Sequence, residues 1–444
     1  MKELLNGLLQ RATALGAQDA DAIVTRRQSL DANVYKGEVD EYNHAQTQGV
    51  GLRVFLGGRV GYAYSESLAP QDMEELAAAA VANAEVSDPD PDAGLFPGPY
   101  GPSGSGEYDA ALHEAQVLDT VKALYASLSQ HELVEDVMRC AAGVGTAAFY
   151  YANTRGAYLH QGYQTCEVVA APIVQKGDYR ETGMDFYAGK VIEGADLNAL
   201  TRQSVDRGMR YDGAVPTQSR ACPVVIHAEA FTDLIATFSS IFSAQKAQDG
   251  LSLLRGKEGV PVAADCVTLT DSPESPLYGY TSLFDGEGVP KVERNLIDRG
   301  VLTTLLYDVK TARKAGKAPT GNGARGYSST VMISPNNLVL QPGTDSLSDL
   351  ARKAGNGVLL YEISGLHAGA NPTSGDFSLL CKGREIVNGE LATPFTQAVV
   401  SGNFYQLLKD IQAVGSDSFT SPSPAASITT PSVLVKSLSM AGQA

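Results

Sequence analysis

The sequence lacks tryptophan and contains only six histidines and five cysteines among its 444 residues. The cysteines are odd in number and widely separated, at Cys140, Cys166, Cys222, Cys266 and Cys381. Without a CxxC pair they match neither a zinc knuckle nor a disulfide framework. We therefore expect small buried thiols in a reducing compartment, which indicates the cytoplasm.

Basic residues and long apolar runs are also scarce. Lysine and arginine together number 34 against 50 aspartates and glutamates, which gives a net charge of −16. DNA phosphates and anionic lipid surfaces repel such a chain. No apolar run approaches the roughly 20 residues of a membrane span, and the first residues contain no signal-type apolar stretch. We expect a cytoplasmic protein that binds neither nucleic acid nor membranes.

The chain is instead rich in glycine and in short apolar segments. Glycine occurs 45 times, so a strand-rich fold with many turns is expected. Apolar periodicity in the first part predicts a helix over 1–16, strands over 22–25, 32–35, 50–55 and 59–64, and a helix over 70–86. Gly57 and Gly58 separate the last two strands and predict a hairpin turn. This order of elements is typical of an α+β fold.

Proline and glycine recur through residues 87–107, which predicts an irregular surface connection. Beyond it the periodicity predicts a helix over 108–131, strands over 137–151, 157–174 and 179–188, and a helix over 197–210. A linker at 213–220 then divides the chain into an N-terminal α+β domain, 1–215, and a strand-rich C-terminal α+β domain, 216–444. We expect antiparallel sheets with flanking helices in both domains.

The second half begins with a predicted strand over 223–226 that leads into a helix over 228–244. Further strands are predicted over 266–270, 301–307, 331–340, 358–363, 386–391 and 431–435, and helices over 347–354 and 403–411. The Ser/Pro-rich stretch 416–430 is expected to be irregular.

Motifs for catalysis by side chains are missing. His113 and His131 are each followed by glutamate, but neither has the second histidine that a zinc-binding helix needs. His227 begins an H-x-E sequence without the P-C-x-x-C partner of a zinc deaminase, and we interpret it as a junction between a strand and a helix. The sequence contains neither a G-x-S-x-G elbow nor a Walker A motif.

Two polar, glycine-rich segments are candidates for a binding site. Residues 365–378 contain His367, Asn371 and Asp376, and residues 321–326 contain Asn322. Residues 365–378 could present polar groups on a rigid sheet, and residues 321–326 could bind an anion through their backbone amides. Either segment could instead form tight turns. The residues alone leave both alternatives open, and they identify no pair of nucleophile and base.

Several short motifs, taken in order, resemble the TldD/PmbA family and, within it, the PmbA (TldE) branch. The N-terminal motifs are GVGLRVF at 49–55 and GRVG at 58–61. The C-terminal motifs are LFDGEGV at 283–289, LYD at 306–308, TARK at 311–314, TGNG at 320–323, GDFS at 375–378 and GE at 389–390. Each motif is weak alone, but their order extends the resemblance over about residues 20–436.

The resemblance implies a two-domain α+β architecture and a dimer. TldD-type members of the family are similar to zinc peptidases, with an HExxxH helix in the C-terminal half and a cysteine near the C-terminus. They pair with a TldE-type subunit and thread unfolded peptides through an enclosed channel; leader peptides and unfolded antitoxin-like proteins are the implied substrates. An older family name, modulator of DNA gyrase, is hard to reconcile with an acidic chain that lacks a basic stripe.

Departures from the TldD pattern indicate the branch. Counting back from residues 250–252, the HExxxH window falls on residues 235–240 (IATFSS), which contain neither histidine nor glutamate. No histidine lies between His227 and His367, and no cysteine follows Cys381. Zinc needs about three or four imidazole, thiolate or carboxylate ligands. The resemblance therefore implies no metal and no catalytic residue in this chain, and zinc only in a partner subunit.

Three functions remain open. The favoured one is a metal-free PmbA/TldE-like subunit of a TldD–TldE-type metallopeptidase, with a TldD-type subunit and an unfolded peptide as partners. The alternative is a stand-alone homodimeric peptide-binding protein without catalysis. The third is an enzyme with unfamiliar machinery that uses Asp285, Glu287, His367 and Asp376. The candidate substrate-binding residues are Asp285, Glu287, Asn322, His367, Asn371 and Asp376.

Overall fold

The computed structural model describes residues 1–104, 112–423 and 426–442. Its α-helices are α1 (Lys2–Ala14), α2 (Pro70–Val86), α3 (Glu114–Ser129), α4 (Leu197–Met209), α5 (Ala228–Phe238), α6 (Ala244–Gln248), α7 (Val309–Ala315), α8 (Leu347–Ala354), α9 (Leu366–Gly369) and α10 (Phe404–Lys409). Short 3₁₀ turns occur at Ile192–Gly194 and Ser239–Phe242.

The strands of the N-terminal half are β1 (Asp19–Tyr35), β2 (Glu38–Leu56), β3 (Arg59–Ser65), β4 (Val134–Asn153), β5 (Tyr158–Lys176), β6 (Tyr179–Thr182) and β7 (Asp185–Gly189). Those of the C-terminal half are β8 (Arg220–Ile226), β9 (Leu269–Ser272), β10 (Arg294–Asp298), β11 (Val301–Leu302), β12 (Gly323–Ala324), β13 (Met332–Ile333), β14 (Asn337–Leu340), β15 (Gly357–Ser364), β16 (Asp376–Val387), β17 (Glu390–Asn403), β18 (Ile411–Val414), β19 (Phe419–Thr420), β20 (Ile428–Thr430) and β21 (Val433–Ala441). The predicted boundary between residues 215 and 216 lies in the link between these two sets.

The N-terminal sheet is antiparallel, in the order β3-β2-β1-β4-β5, with β6 and β7 both paired to β5. Side chains alternate between the two faces of a strand. Ala20 and Val24 of β1 pack with α1 and α2, and Leu30 and Val34 pack with α3 and α4. All four helices therefore cover one face of the sheet, and the odd-numbered side chains of β1 lie on the opposite face.

Two six-stranded sheets form the C-terminal half, in the orders β11-β10-β9-β14-β20-β19 and β17-β16-β15-β8-β21-β18. A single apolar cluster that includes Phe231 of α5, Leu296 of β10 and Val400 of β17 connects both sheets. On the other face of the second sheet, Leu350 of α8 packs with Val225 of β8. Most strand pairs are antiparallel, so the predicted α+β class with antiparallel sheets and flanking helices is confirmed.

Several local predictions are also confirmed. α2 begins at Pro70 and ends at Val86 as predicted, since proline suits the first turn of a helix. Gly57 and Gly58 have φ angles of 59° and 73°, and they form the turn that joins β2 to β3. Among the described residues, no helix has the length and apolar character needed to cross a membrane.

The strands predicted over 22–25 and 32–35 are instead one continuous strand, β1. The intervening residues 26–31 are mostly polar, which is why periodicity alone breaks the strand there. β2 and β4 pair with β1 along this stretch on both sides. Their backbone hydrogen bonds continue the strand through a segment that its own side chains do not favour.

The strand predicted over 386–391 is wrong. β16 ends at Val387 and β17 begins at Glu390, and the two residues between them form a hairpin turn. Asn388 and Gly389 have φ angles of 52° and 82°. An Asn-Gly pair favours this turn because both residues tolerate positive φ, so the signal is present in the sequence.

Other elements of the second half are shorter or shifted relative to the predictions. β11 contains only two of the residues predicted over 301–307, and β9 lies at Leu269–Ser272 rather than 266–270. The predicted strand over 331–340 is divided into β13 and β14 on either side of Pro335, which cannot donate to a ladder. The predicted helix over 228–244 is divided after Phe238, and the stretch expected to be irregular, 416–430, contains β19 and β20.

The predicted connection at 87–107 has no regular element through residue 104, but it is not only a surface loop. Leu95 is fully buried, and its carbonyl accepts a hydrogen bond from Arg313 Nη2 at 2.6 Å. Gly101 N donates to the carbonyl of Gly288 at 3.1 Å. The connection therefore packs against the C-terminal half. Of the predicted helix over 108–131, residues 108–111 lie outside the described ranges.

Candidate functional site

Charged side chains from both halves meet on the uncovered face of the N-terminal sheet. Arg53 Nη2 in β2 donates to Asp21 Oδ2 in β1 at 2.6 Å, and Arg53 Nη1 donates to Glu287 Oε1 at 2.9 Å. Arg325 Nη1 donates to Asp21 Oδ1 at 2.8 Å. We call these four side chains the junction cluster. Its ion pairs are buried and join the two halves of the chain.

The LFDGEGV segment places two carboxylates beside a glycine of the TGNG segment. Asp285 Oδ1 accepts hydrogen bonds from the N–H groups of Glu287 and Val289 at 2.9 and 3.0 Å, and Asp285 Oδ2 accepts from Gly323 N at 2.8 Å. A Cβ on Gly323 would lie 2.9 Å from Glu287 Oε2 and 3.1 Å from Asp285 Oδ2. The absence of a side chain at this position therefore lets the backbone approach both carboxylates.

Burial and charge act in opposite directions on these carboxyl groups. Burial is the largest effect on Asp21 and would raise its pKa, but the guanidinium groups of Arg325 and Arg53 together hold that pKa below its ordinary value. Burial raises the pKa of Asp285, and the neighbouring Glu287 carboxylate raises it further. Burial also raises the pKa of Glu287 in spite of Arg53. Both carboxyl groups therefore resist ionisation more than exposed ones do, because burial disfavours their charged forms.

An amide network surrounds Asp271 of β9 beside the junction cluster. Asn322 Nδ2 and Asn336 Nδ2 donate to Asp271 Oδ2 at 2.8 and 2.9 Å. Lys291 lies close by. Burial lowers the pKa of its ammonium group, although the charges of Asp285 and Asp271 oppose that effect. The Lys291 side chain is therefore enclosed by protein near two carboxyl groups.

A cavity of about 280 Å³ separates the N-terminal sheet from this network. Its wall includes the rings of Tyr163 and Tyr280, which stack with centroids 4.3 Å apart. Among the residues that the structure describes, the charged lining side chains are three cations and one carboxylate, namely Arg27, Lys291, Arg325 and Asp285. The junction thus contains a pocket that is aromatic on one wall and predominantly cationic, a composition suited to binding a small anion.

The six predicted binding residues fall in two separate places. Asp285, Glu287 and Asn322 are buried at the junction, and Asp285 and Asn322 line the cavity. The other three lie in the polar segment at 365–378 and are exposed. The structure therefore does not bring all six together in one pocket.

The polar segment at 365–378 is organised as a turn. Asn371 Oδ1 accepts a hydrogen bond from Thr373 N at 3.0 Å, which is the geometry of an Asx turn. Asp376 Oδ1 accepts from Asn403 Nδ2 at 2.9 Å. His367 lies on the short helix α9. These contacts favour the structural interpretation of the segment over a catalytic one.

His227 has the junction role predicted for it. It follows β8 directly and caps α5, where its Nδ1 accepts a hydrogen bond from Glu229 N at 3.3 Å. Burial lowers the pKa of His227 to about 4, and the charge of Arg210 contributes to the shift. Only the unprotonated nitrogen can accept a hydrogen bond, so the neutral ring is the form that caps the helix.

The residues predicted to correspond to the HExxxH motif do not fit a zinc ion. Ile235 is buried in the apolar core, whereas Ala236 on α5 and Ser240 in the following 3₁₀ turn are exposed. Neither aliphatic groups nor a lone hydroxyl can replace imidazole and carboxylate ligands. Within residues 1–104, 112–423 and 426–442, no group of three or more His, Cys, Asp or Glu side chains is arranged to hold a metal ion.

Four charged side chains of the junction are absent from the predicted set: Asp21, Arg53, Lys291 and Arg325. Asp21 interrupts an apolar strand sequence, ADAIV, and a charge in such a place is the signal of a buried, paired carboxylate. Lys291 and Arg325 have no comparable signal in the sequence. Arg325 is buried and Lys291 half-buried in the structure because the two halves pack together.

The sequence matches models of one family over almost all of its C-terminal half and over part of its N-terminal half. Residues 219–442 match the PmbA/TldA metallopeptidase C-terminal domain, and residues 20–84 match PmbA/TldA metallopeptidase domain 1. The metalloprotease PmbA of Escherichia coli O157:H7 is 25% identical over 456 residues, covering 100% of this chain and 96% of that protein. A metalloprotease of Methanothermobacter thermautotrophicus is 26% identical over 398 residues, covering 86% and 84%.

Solved structures share the fold over the whole chain. A protein from Thermotoga maritima that carries the provisional name modulator of a DNA gyrase is 28% identical and superposes with a TM-score of 0.87, covering 99% of this chain and 100% of that one. TldE from Thermococcus kodakarensis is 22% identical, with a TM-score of 0.88 and the same coverage. Because the sequence identity to TldE from Thermococcus kodakarensis is only 22%, this similarity shows a shared fold.

The fold and the junction motifs define an α+β protein of the PmbA/TldD type. The chain belongs to the PmbA/TldD metallopeptidase family, as the motifs in its sequence predict. Membership of this family supports a role connected with proteolysis.

Proposed function

We propose that this chain is the metal-free, PmbA/TldE-like subunit of a TldD–TldE-type metallopeptidase. In this proposal a TldD-type partner supplies the zinc ion and the catalytic groups. This chain forms part of the channel through which unfolded peptides or leader peptides reach them.

The observation that carries the proposal is the packing of the helix in which the HExxxH motif would lie. Ile235 belongs to the main apolar cluster of the C-terminal half. In the same window the ring of Phe238 is parallel to that of Phe404, with centroids 4.4 Å apart. Ile235 thus places an aliphatic side chain in the core, and the exposed Ala236 and Ser240 supply neither an imidazole nor a carboxylate, which supports a chain without its own zinc ion.

The uncovered face of the N-terminal sheet supports a role in holding a peptide. An open groove of about 750 Å³ extends over β1, β4 and β5. Many of its lining residues are small or polar, such as Ser29, Asn33, Gly143, Gly145 and Thr165. An extended peptide needs hydrogen-bonding groups and little obstruction from bulky side chains, and this surface has both properties.

Reconstitution tests the proposal. The chain and an HExxxH homologue from the same genome would be purified separately, and zinc would be measured by elemental analysis. We expect the lone chain to hold no stoichiometric zinc and to cleave no peptide. The mixture should form a heterodimer in light scattering and should cleave an unstructured peptide, with a chelator stopping the cleavage. A partner whose HExxxH glutamate is replaced by glutamine is the control, since it should form the complex without cleavage.

Other outcomes would overturn the proposal. Chelator-sensitive hydrolysis by the lone chain would contradict it directly. A stable self-dimer that binds peptide and ignores the homologue would favour the stand-alone peptide-binding protein instead. Loss of cleavage by the assembled complex on His367→Ala, with the complex intact, would favour an enzyme that uses Asp285, Glu287, His367 and Asp376.

A further inference from the structure

The cavity at the junction carries a charge opposite to that of the whole chain. The chain has a net charge of −16, yet three of the four charged side chains that line the cavity in the described residues are cations. Because an enclosed site of one sign concentrates ligands of the other, this cavity is suited to an anion.

Of the three lining cations, Lys291 is the enclosed one that makes no direct ion pair with the described residues. Arg27 is exposed, and the charges of Asp285 and Asp271 act on Lys291 only from a longer distance. Arg325 is already paired with Asp21 at 2.8 Å. The ammonium group of Lys291 has no hydrogen-bond or ion-pair partner among the described residues. Its side chain is half-buried and lines the cavity. Because an enclosed charge without a partner is costly, an anionic ligand would complete the site.

The carboxylate inside the cavity does not fill this role. Both oxygens of Asp285 are occupied by backbone N–H groups, from Glu287, Val289 and Gly323. Burial raises the pKa of Asp285, which weakens its negative charge near neutral pH. The ammonium group of Lys291 is therefore available to an anion from outside the chain.

The remaining walls define the rest of the ligand. The rings of Tyr163 and Tyr280 are nearly parallel, with an angle of 6° between them, and Phe149 also lines the cavity. Asn322 Oδ1 is buried without a hydrogen-bond partner in the described residues, so it can accept from an amide N–H. The walls thus suit a carboxylate attached to an amide-bearing group with an apolar side chain. Because the cavity has a volume of about 280 Å³, it can hold only a small group of this kind.

We propose that the cavity binds a carboxylate of a peptide, with Lys291 contacting the carboxylate and the Tyr163–Tyr280 pair contacting the adjoining residue. This inference rests on the proposed function, because it assigns a chemical group to the peptide that the subunit handles. The carboxylate comes from the C-terminus of the peptide or from an aspartate or glutamate side chain.

Calorimetric titration of the full-length chain alone tests the proposal. The probes are acetyl-Ala-Tyr-Ala with a free C-terminus, the same peptide as its C-terminal amide, acetyl-Ala-Glu-Ala-amide and inorganic phosphate. We expect one of the two carboxylate peptides to bind at least about tenfold more tightly than the uncharged amide, as a charge-assisted contact provides. The carboxylate peptide that binds identifies the source of the group.

Variants of two lysines localise the binding. Lys291→Met should weaken binding of the carboxylate peptide about 10- to 100-fold and abolish the preference over the amide. Lys314 on α7 is exposed, so Lys314→Met is the matched control and should change neither affinity. Equal affinity for acid and amide, an unchanged preference in Lys291→Met, or tighter binding of phosphate than of either carboxylate peptide would overturn the proposal.

Chemical labelling of the wild-type chain keeps the test independent of any folding defect in a variant. An amine-reactive reagent followed by mass spectrometry reports the modification rate of each lysine. The carboxylate peptide should slow the labelling of Lys291 and leave that of Lys314 unchanged; no protection of Lys291 would count against the site. Neither measurement requires a partner subunit or cleavage, so a failure here leaves the reconstitution result intact, and a failed reconstitution with intact binding would overturn the proposed function alone.

Discussion

Arg53 Nη1 lies 2.9 Å from Glu287 Oε1, although the two residues are 234 positions apart in the sequence. One residue belongs to the GVGLRVF segment and the other to the LFDGEGV segment, two of the motifs that carry the family resemblance. Their meeting explains why both motifs occur in one chain. Together they build a buried contact that joins the N-terminal sheet to the C-terminal half.

Removing the guanidinium group from this contact should destabilise the protein. Arg53→Leu removes the only arginine paired with Glu287 in the described residues and one of the two arginines paired with Asp21. Because a buried carboxylate without its cation is unfavourable, the free energy of unfolding should fall by about 3–5 kcal/mol. Urea unfolding followed by circular dichroism measures the loss. Arg155→Leu is the control, because Arg155 pairs with Asp19 at 2.6 Å on the surface and such pairs contribute less than about 1 kcal/mol. Equal losses in the two variants would contradict a special role for the buried contact.

The glycines of the GVGLRVF segment should tolerate no side chain. A Cβ on Gly49 would lie 2.3 Å from Cδ2 of Tyr327, so Gly49→Ala should lower the free energy of unfolding by about 1–3 kcal/mol through overpacking. Thermal unfolding of Gly49→Ala in the wild-type and Tyr327→Ala backgrounds checks the cause. If Gly49→Ala lowers the stability equally in both backgrounds, the Tyr327 ring is not the cause.

Acid should destabilise the protein through His227. Burial lowers the pKa of His227 to about 4 in the folded chain, whereas the unfolded chain titrates near 6.5. The unfolded state therefore takes up the proton first, and stability is lost as the pH falls from about 6.5 towards 4. At pH 5 this loss is about 2 kcal/mol.

The variant His227→Asn separates this effect from other titrations. Asparagine also caps helices but does not titrate, so its stability should fall less steeply between pH 7 and pH 5 than that of the wild type. Urea midpoints measured across that interval give the comparison. Parallel pH profiles for the two proteins would show that His227 is not the group responsible.

Removing metal should not affect the isolated chain. Because the HExxxH positions hold Ile235, Ala236 and Ser240, a strong chelator should change its unfolding temperature by less than about 1 °C, whereas loss of a bound structural metal lowers stability strongly. Differential scanning calorimetry with and without chelator measures the change. A large decrease in the unfolding temperature that added zinc reverses would contradict the assignment of a metal-free chain.

Local chemistry explains the parts of the fold that the sequence predicts well. Pro70 marks the start of α2 and Gly57-Gly58 marks a hairpin, because the backbone preferences of these residues act over a few positions. The family motifs likewise identify the chain, and they include Asp285, Glu287 and Asn322 at the junction. The Asn388-Gly389 pair is a local signal of the same kind, although the strand predicted over 386–391 runs across it.

The sequence by itself determined the class of fold and the family, since each depends on which residues occur and in what order, and it predicts that Ile235, Ala236 and Ser240 stand where a TldD-type chain has zinc ligands. Only the tertiary structure decided that β1 continues through its polar middle, that Leu95 is buried, and that His367, Asn371 and Asp376 lie apart from the buried carboxylates. It also placed Lys291 in a cavity where it makes no direct ion pair with the described residues. The physical reason is that burial, pairing and pKa depend on groups far apart in the chain, and those distances exist only once the two halves have packed together.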